Sequence, residues 1–242
     1  MKLLIVRHGD PDYEHDTLTE TGRIEAECVA DRLAGHRIDA FYVSPLGRAQ
    51  DTAAPTLKRM GRTAQTLPWL REFHASILHP DTGDTRVPWD WLPGFWTQES
   101  AFYDMEKWCE VPVMQQYGVD AEAGRVYDGL DALLASHGYV RDGRVYAAER
   151  ANGDVLCMFC HFGVECLMLS HLIGCSPMVL WHGFCAAPAS VTVVSTEERR
   201  KGIAAFRINT FGDTGHLLKA GREPSFSARF CELYDRTDER HD

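Results

Sequence analysis

The chain has 242 residues, 45% of them hydrophobic, and a formal net charge of −10. That length accommodates one large domain with a substantial core, and the negative field repels nucleic acid and anionic membrane surfaces, so neither is expected as a partner. No charged leader with a long apolar stretch opens the sequence and no run approaches a membrane span. The eight scattered cysteines read as buried reduced thiols. A cytoplasmic protein is the expectation.

Leu3, Leu4, Ile5 and Val6 form a short, β-branched apolar run, which predicts a buried strand ending abruptly in Arg7, His8 and Gly9. In open parallel sheets ligands bind beyond the C-terminal ends of the strands. This strand therefore carries a cation and an imidazole to such an end, and Gly9 permits close backbone approach. Thr19 precedes Ile24, Cys28, Val29 and Leu33 at helical spacing, predicting a helix that closes near Gly35. AFYVSP reads as a second strand, LGRAQDTAAPTLKRMG as a helix ending at Gly61, and TAQTLPWL as a third strand. The alternation predicts βαβ units and a parallel sheet.

Between residues 74 and 119 the texture changes: Pro80, Pro88, Pro93 and Pro112 accompany Trp89, Trp91, Trp96 and Trp108. The stretch is expected to be an inserted cap or lid over the strand ends, within a single domain spanning 1–242. Helical periodicity returns in DAEAGRVYDGLDALLASHG and GVECLMLSHLIGC, and GRVYAAE and DVLCMFCH read as strands. SVTVVST and GIAAFRINT predict an antiparallel hairpin across EERRKG. The closing ELYDRTDERHD reads as a frayed tail.

Three further element ends carry reactive side chains. Arg48 follows Ser44-Pro45 at a strand-to-helix junction, Glu72 follows the third predicted strand, and His161 ends a second apolar strand ahead of Phe162 and Gly163. If these strands are parallel, Arg7, His8, Arg48, Glu72 and His161 converge. Two guanidinium groups match phosphate oxygens in pairs, and the helix behind Arg48 adds backbone N–H groups. A neutral imidazole can attack phosphorus to give a phosphohistidine, and the arginines would keep His8 unprotonated. Glu72 is the candidate to protonate the leaving oxygen, with Glu99 as the alternate, and His161 to stabilise developing charge. No metal or cofactor is called for. Tyr13 and His15 lie in the loop beyond the nucleophile and, with Gly9 and Phe162, are candidate substrate contacts. Cys157-Met158-Phe159-Cys160-His161 satisfies the C-x-x-C-H haem-attachment pattern, but on a strand its two cysteines face opposite ways and cannot clasp one group.

Arg7-His8-Gly9, Leu18-Thr19 with Gly22, Ser44-Pro45-Leu46-Gly47-Arg48-Ala49-Gln50-Asp51-Thr52-Ala53, Cys160-His161-Phe162-Gly163 and Asn209 to His216-Leu217 together resemble the histidine phosphatase superfamily, which includes phosphoglycerate mutases and many phosphatases. The resemblance implies a three-layer α/β/α sandwich with a mostly parallel central sheet, a nucleophilic His8, and a phosphate pocket of Arg7, Arg48 and His161. It also implies a small phosphorylated substrate, with phosphate or sulfate able to occupy the pocket. The loop from Arg7 to Leu18 is shorter than in the mutase branch and lacks its Asn and Ser/Thr positions, which favours hydrolysis over mutase chemistry. A phosphoglycerate mutase-type transfer and a non-catalytic phospholigand-binding protein are the alternatives. The aromatic insertion is a candidate homodimer surface.

Overall fold

A computed structural model describes residues 1–227 and 229–241. Eight strands form the central sheet: Lys2–Arg7 (β1), Ala40–Val43 (β2), Gln65–Thr66 (β3), Tyr139–Asp142 (β4), Val145–Ala148 (β5), Val155–Cys160 (β6), Val191–Arg200 (β7) and Ile203–Asp213 (β8). Their order is β3-β2-β6-β1-β7-β8-β5-β4. Pairings β3-β2, β2-β6 and β6-β1 are parallel, and the other four are antiparallel. The sheet is therefore mixed, and the parallel half is the part that delivers Arg7, His8 and His161 to a common end.

The longer helices are Glu20–Leu33 (α1), Gly47–Met60 (α2), Val119–Ser136 (α3), Phe162–Ile173 (α4) and Pro177–Gly183 (α5). Side chains alternate across each strand, which divides the core in two. Leu4, Val6, Cys157 and Phe159 pack with Val29 and Leu33 of α1 and Ala49 and Ala53 of α2. Leu3, Ile5, Met158 and Cys160 pack on the other face, with Val126 and Leu130 of α3, Val164 and Leu167 of α4, and Trp181 of α5. Three layers result. Cys157 and Cys160 lie in different cores, as their strand spacing requires.

Local chemistry sets the helix ends. Thr19 accepts the Gly22 N–H at 3.0 Å to cap α1, and Gly61, at φ 62°, closes α2 in the left-handed conformation that glycine tolerates best. The predicted strand TAQTLPWL is only two residues long here: Pro68 cannot donate to a ladder, and Pro68–Leu70 turn into a 3-10 helix instead. Trp91, Trp96, Phe102 and Trp108 from the proline-rich stretch are buried in the same core as α3 and α4. The predicted frayed tail is folded back: Arg240 meets Asp90 at 2.7 Å and Cys231 N–H donates to the Arg240 carbonyl at 2.7 Å. Among the described residues no helix is long and apolar enough to cross a membrane.

Candidate active site

Register brings the first two histidines together. Parallel pairing aligns Arg7 with Cys160, and the next backbone bond runs from the His8 N–H to the Cys160 carbonyl at 3.0 Å. His8 and His161 therefore stand side by side past the ends of β1 and β6, ring centroids 5.0 Å apart. On the far side of β6, Ser44 N–H donates to the Phe159 carbonyl, which sets Ser44 beside His161. All three residues are buried.

The hydrogen-bond partner of His8 fixes the state of its ring. His8 Nδ1 is 2.7 Å from the Gly9 carbonyl oxygen. A carbonyl can only accept, so Nδ1 carries the proton and Nε2 of the neutral ring keeps a lone pair. Burial first, and then the charges of Arg7 and Arg48, hold the His8 pKa well below the usual histidine range. Ser44 Oγ accepts the Leu46 N–H at 3.2 Å and lies 2.7 Å from His161 Nε2. The Ser44 hydroxyl can donate to Nε2 or accept from Nε2–H, and His161 Nδ1 has no protein partner. Burial, then His8 and the two arginines, keep His161 neutral as well.

Both guanidinium groups are buried and held from one side. Arg7 Nη1 donates to the Ala186 carbonyl, with the cation 5.8 Å from the Phe162 ring centroid. Arg48 Nη1 donates to Asp16 Oδ1 at 2.6 Å, with its cation 5.4 Å from the Tyr13 ring centroid. Asp16, at φ 48°, also accepts the Gly47 N–H through Oδ2 at 2.7 Å and so ties the start of α2 to the loop. Arg7 Nε and Arg48 Nε are buried N–H donors, and His161 Nδ1 a buried ring nitrogen, with no protein partner. Buried polar nitrogens are almost always satisfied in native proteins; these three belong to two cations whose charge acts on His8 and to the ring 5.0 Å from it, a set that suits an oxyanion ligand.

Glu72 reaches the site through α4. Its Oε1 accepts the Val164 and Phe73 N–H groups at 3.0 and 2.8 Å, and Oε2 accepts the Gly163 N–H at 3.2 Å. Burial pushes this carboxyl up, and the three N–H donors and Arg48 oppose that rise. A Cβ on Gly163 would lie 2.5 Å from Trp89 and 2.7 Å from Glu72 Oε1, so only glycine lets the carboxylate seat at the helix N-terminus. Glu99 is elsewhere: its carboxylate accepts the Ala101 N–H and caps a separate 3-10 turn.

A cavity of ≈ 640 Å³ opens from Arg7 and Glu72, and Tyr13 and Phe162 line it. His15 is bound instead to Asp12 at 2.9 Å and stands out of the cavity wall. Gly9 gives its N–H to Thr52 and packs so tightly on Gly22 that a Cβ would sit 2.7 Å from the Gly22 carbonyl oxygen; it seats the loop and is not part of the wall. Among the described residues no group of three or more His, Cys, Asp or Glu is arranged to hold a metal.

Asp16, Thr52 and Glu165 escaped the sequence reading. Glu165, one turn into α4 and 1% exposed, has Oε1 unpartnered, and burial pushes its carboxyl up to about 7 against the opposing Thr192 hydroxyl and Arg7 charge. A carboxylate in an otherwise apolar helix was the visible signal, since such a group is rarely buried without a partner.

The family model of the histidine phosphatase superfamily (branch 1) matches residues 3–209. An uncharacterized protein of Mycobacterium tuberculosis is 41% identical over 103 residues, 36% of this chain and 50% of that one. A probable phosphoglycerate mutase of Photorhabdus laumondii is 32% identical over 87 residues, 32% of this chain and 40% of that one. The chain thus spans half the length, or less, of these curated relatives. Among solved structures, the mycobacterial glucosyl-3-phosphoglycerate phosphatase superposes with a TM-score of 0.59 at 21% identity over 88% of this chain and 99% of its own. An Entamoeba histolytica phosphoserine phosphatase gives 0.59 at 18% identity over 89% and 98%. At such identities the likeness speaks for the fold, whereas the match to the family model runs from the first strand through the last: the chain belongs to the histidine phosphatase superfamily, branch 1.

Proposed function

We propose that the protein is a phosphatase that hydrolyses a phosphomonoester of a small metabolite through a covalent phosphohistidine. His8 Nε2 attacks phosphorus as the ester P–O bond breaks, and Glu72 delivers a proton to the departing oxygen. A water then attacks the phosphohistidine and gives its proton to the Glu72 carboxylate, releasing inorganic phosphate and restoring both groups. Arg7, Arg48 and His161 hold the phosphoryl oxygens throughout. The step draws on no metal or cofactor.

The observation that carries this reading is the set of buried, unpartnered nitrogens, Arg7 Nε, Arg48 Nε and His161 Nδ1, on two cations and a ring that all bear on the His8 imidazole, whose free lone pair is on Nε2. A structural site would satisfy those nitrogens internally; one built for a dianion leaves them for the ligand. The raised Glu72 carboxyl supports its use as an acid. The test is phosphate release from an aryl phosphate in the presence of a chelator, with His8→Ala alongside, and acid-labile labelling of His8 in a rapid quench. Equal rates for the two proteins would discard the mechanism. A Glu72→Gln variant should lose alkyl esters far more than activated aryl esters, because only the former need their leaving group protonated.

A further inference from the structure

The C-terminal segment forms part of the cavity. It is tied down at two places. Ser225 Oγ and Ser227 Oγ both donate to Asp10 Oδ1, the latter at 2.7 Å, two residues beyond the nucleophile. Arg240 then reaches Asp90 between Trp89 and Trp91 at 2.7 Å. Between these ties Phe230, Cys231 and Glu232 line the cavity opposite the residues of the proline-rich stretch and α5. The strap therefore links the loop of the nucleophile to the tryptophan-rich wall.

What that wall offers is mostly flat and apolar. Trp89 stands 5.6 Å from Trp181 and edge-on to Phe162 at 6.2 Å, and Trp96 stacks on His182 at 4.4 Å. The indole N–H groups of Trp91 and Trp96, both in the lining, are buried and have no protein partner. Arg240 is already engaged, by Asp90 and by the Phe230 ring 4.3 Å away. The charges in the lining are of both signs, Asp90 and Glu232 beside Arg229 and Arg240, whereas a planar ring would stack on indoles and Phe230 and a ring acceptor would satisfy an indole N–H.

We propose that the substrate class is a phosphomonoester carrying a planar aromatic group, and that the C-terminal strap, through Phe230, is a specificity-determining wall of the site. This rests on the phosphatase reading above. The experiment compares esters of alkyl alcohols, so that leaving groups are similar: naphthylmethyl phosphate and benzyl phosphate against O-phosphoserine, 3-phosphoglycerate and glucose 6-phosphate. The full-length protein, Phe230→Ala and Asp90→Asn are assayed, with His8→Ala as the control for chemistry. Expected is a kcat/KM at least about tenfold higher for the naphthylmethyl ester than for any of the last three, a ratio that falls several-fold in Phe230→Ala and in Asp90→Asn. Asp90→Asn removes the Arg240 anchor without touching the ring, and so serves where Phe230→Ala fails to fold. A ratio near unity, a preference for the acidic or sugar esters, or a preference that both variants retain would overturn the proposal and leave the phosphatase reading standing. Absence of His8-dependent turnover on every ester would overturn that reading instead. The same panel is then scored by calorimetric binding, where tighter binding of the naphthylmethyl ester supports the strap proposal and equal or weaker binding refutes it.

Discussion

Replacing Glu165 with Gln should change the pH dependence of stability more than stability itself. Glu165 is 1% exposed in α4 and sits within the field of Arg7, and its carboxyl is pushed up to about 7 from 4.5, mostly by burial. A raised acid holds its proton more tightly in the folded chain. Between about pH 4.5 and 7 the unfolded chain therefore loses a proton that the native state retains, and stability falls as pH rises. Above about 7 both states are ionised and the penalty is constant. At about 1.36 kcal/mol per unit the full step is on the order of 3 kcal/mol. Gln fills nearly the same volume and stays neutral, so the variant lacks the step.

The difference between the two proteins isolates this group, because other titrations, apart from the coupling to Glu72, cancel. Urea unfolding of both at pH 5, 6, 7 and 8.5 should show the wild type losing ground to Glu165→Gln by on the order of 3 kcal/mol across that range. In thermal melts the gap moves by roughly 6–12 °C for a chain of this size. Parallel curves from pH 5 to 8.5 would show that Glu165 is ionised throughout, compensated by Arg7 and the Thr192 hydroxyl, and would refute the reasoning.

Gly163→Ala should drive its Cβ into Trp89 and Glu72 Oε1, costing about 1–3 kcal/mol of stability and slowing alkyl esters more than activated aryl esters in steady-state assays. Ser44→Ala removes the hydroxyl bonded to His161 Nε2, which holds that ring in place, and kcat should fall roughly ten- to a hundredfold with KM changed by no more than about threefold; unchanged kcat would separate Ser44 from the chemistry. Asp16→Ala releases Arg48 and the Gly47 N–H and places alanine at φ 48°, so KM for phosphate esters should rise about tenfold with a stability loss of about 1–2 kcal/mol by denaturant titration.

What the sequence disclosed and what it withheld follow from the range of the forces involved. Arg7-His8-Gly9 and His161 were legible because an apolar strand broken by ionisable residues is a local pattern, and parallel pairing of two such strands then requires their ends to coincide. Helix limits at Thr19 and Gly61 were legible for the same reason. The pairing of β7 beside β1 was not, since hydrophobic alternation gives a strand its faces but no neighbour; in the antiparallel half only the β7-β8 hairpin was legible, from its short charged turn. His15 and Tyr13 carried equal weight in the loop until Asp12 took one and the Arg48 guanidinium the other. The C-terminal residues show the limit most sharply. A charged terminal run reads as solvated because nothing within it calls for burial, yet Arg240 is anchored at Asp90 among the tryptophans, and Ser225 and Ser227 ahead of the run are anchored at Asp10 in the loop after His8. Ion pairs and hydroxyl bonds of that kind are individually weak, so the segment is ordered by their cooperation with the Phe230 ring and the Arg240 stack. A wall assembled from such small, separated terms can be altered residue by residue without disturbing the buried histidines.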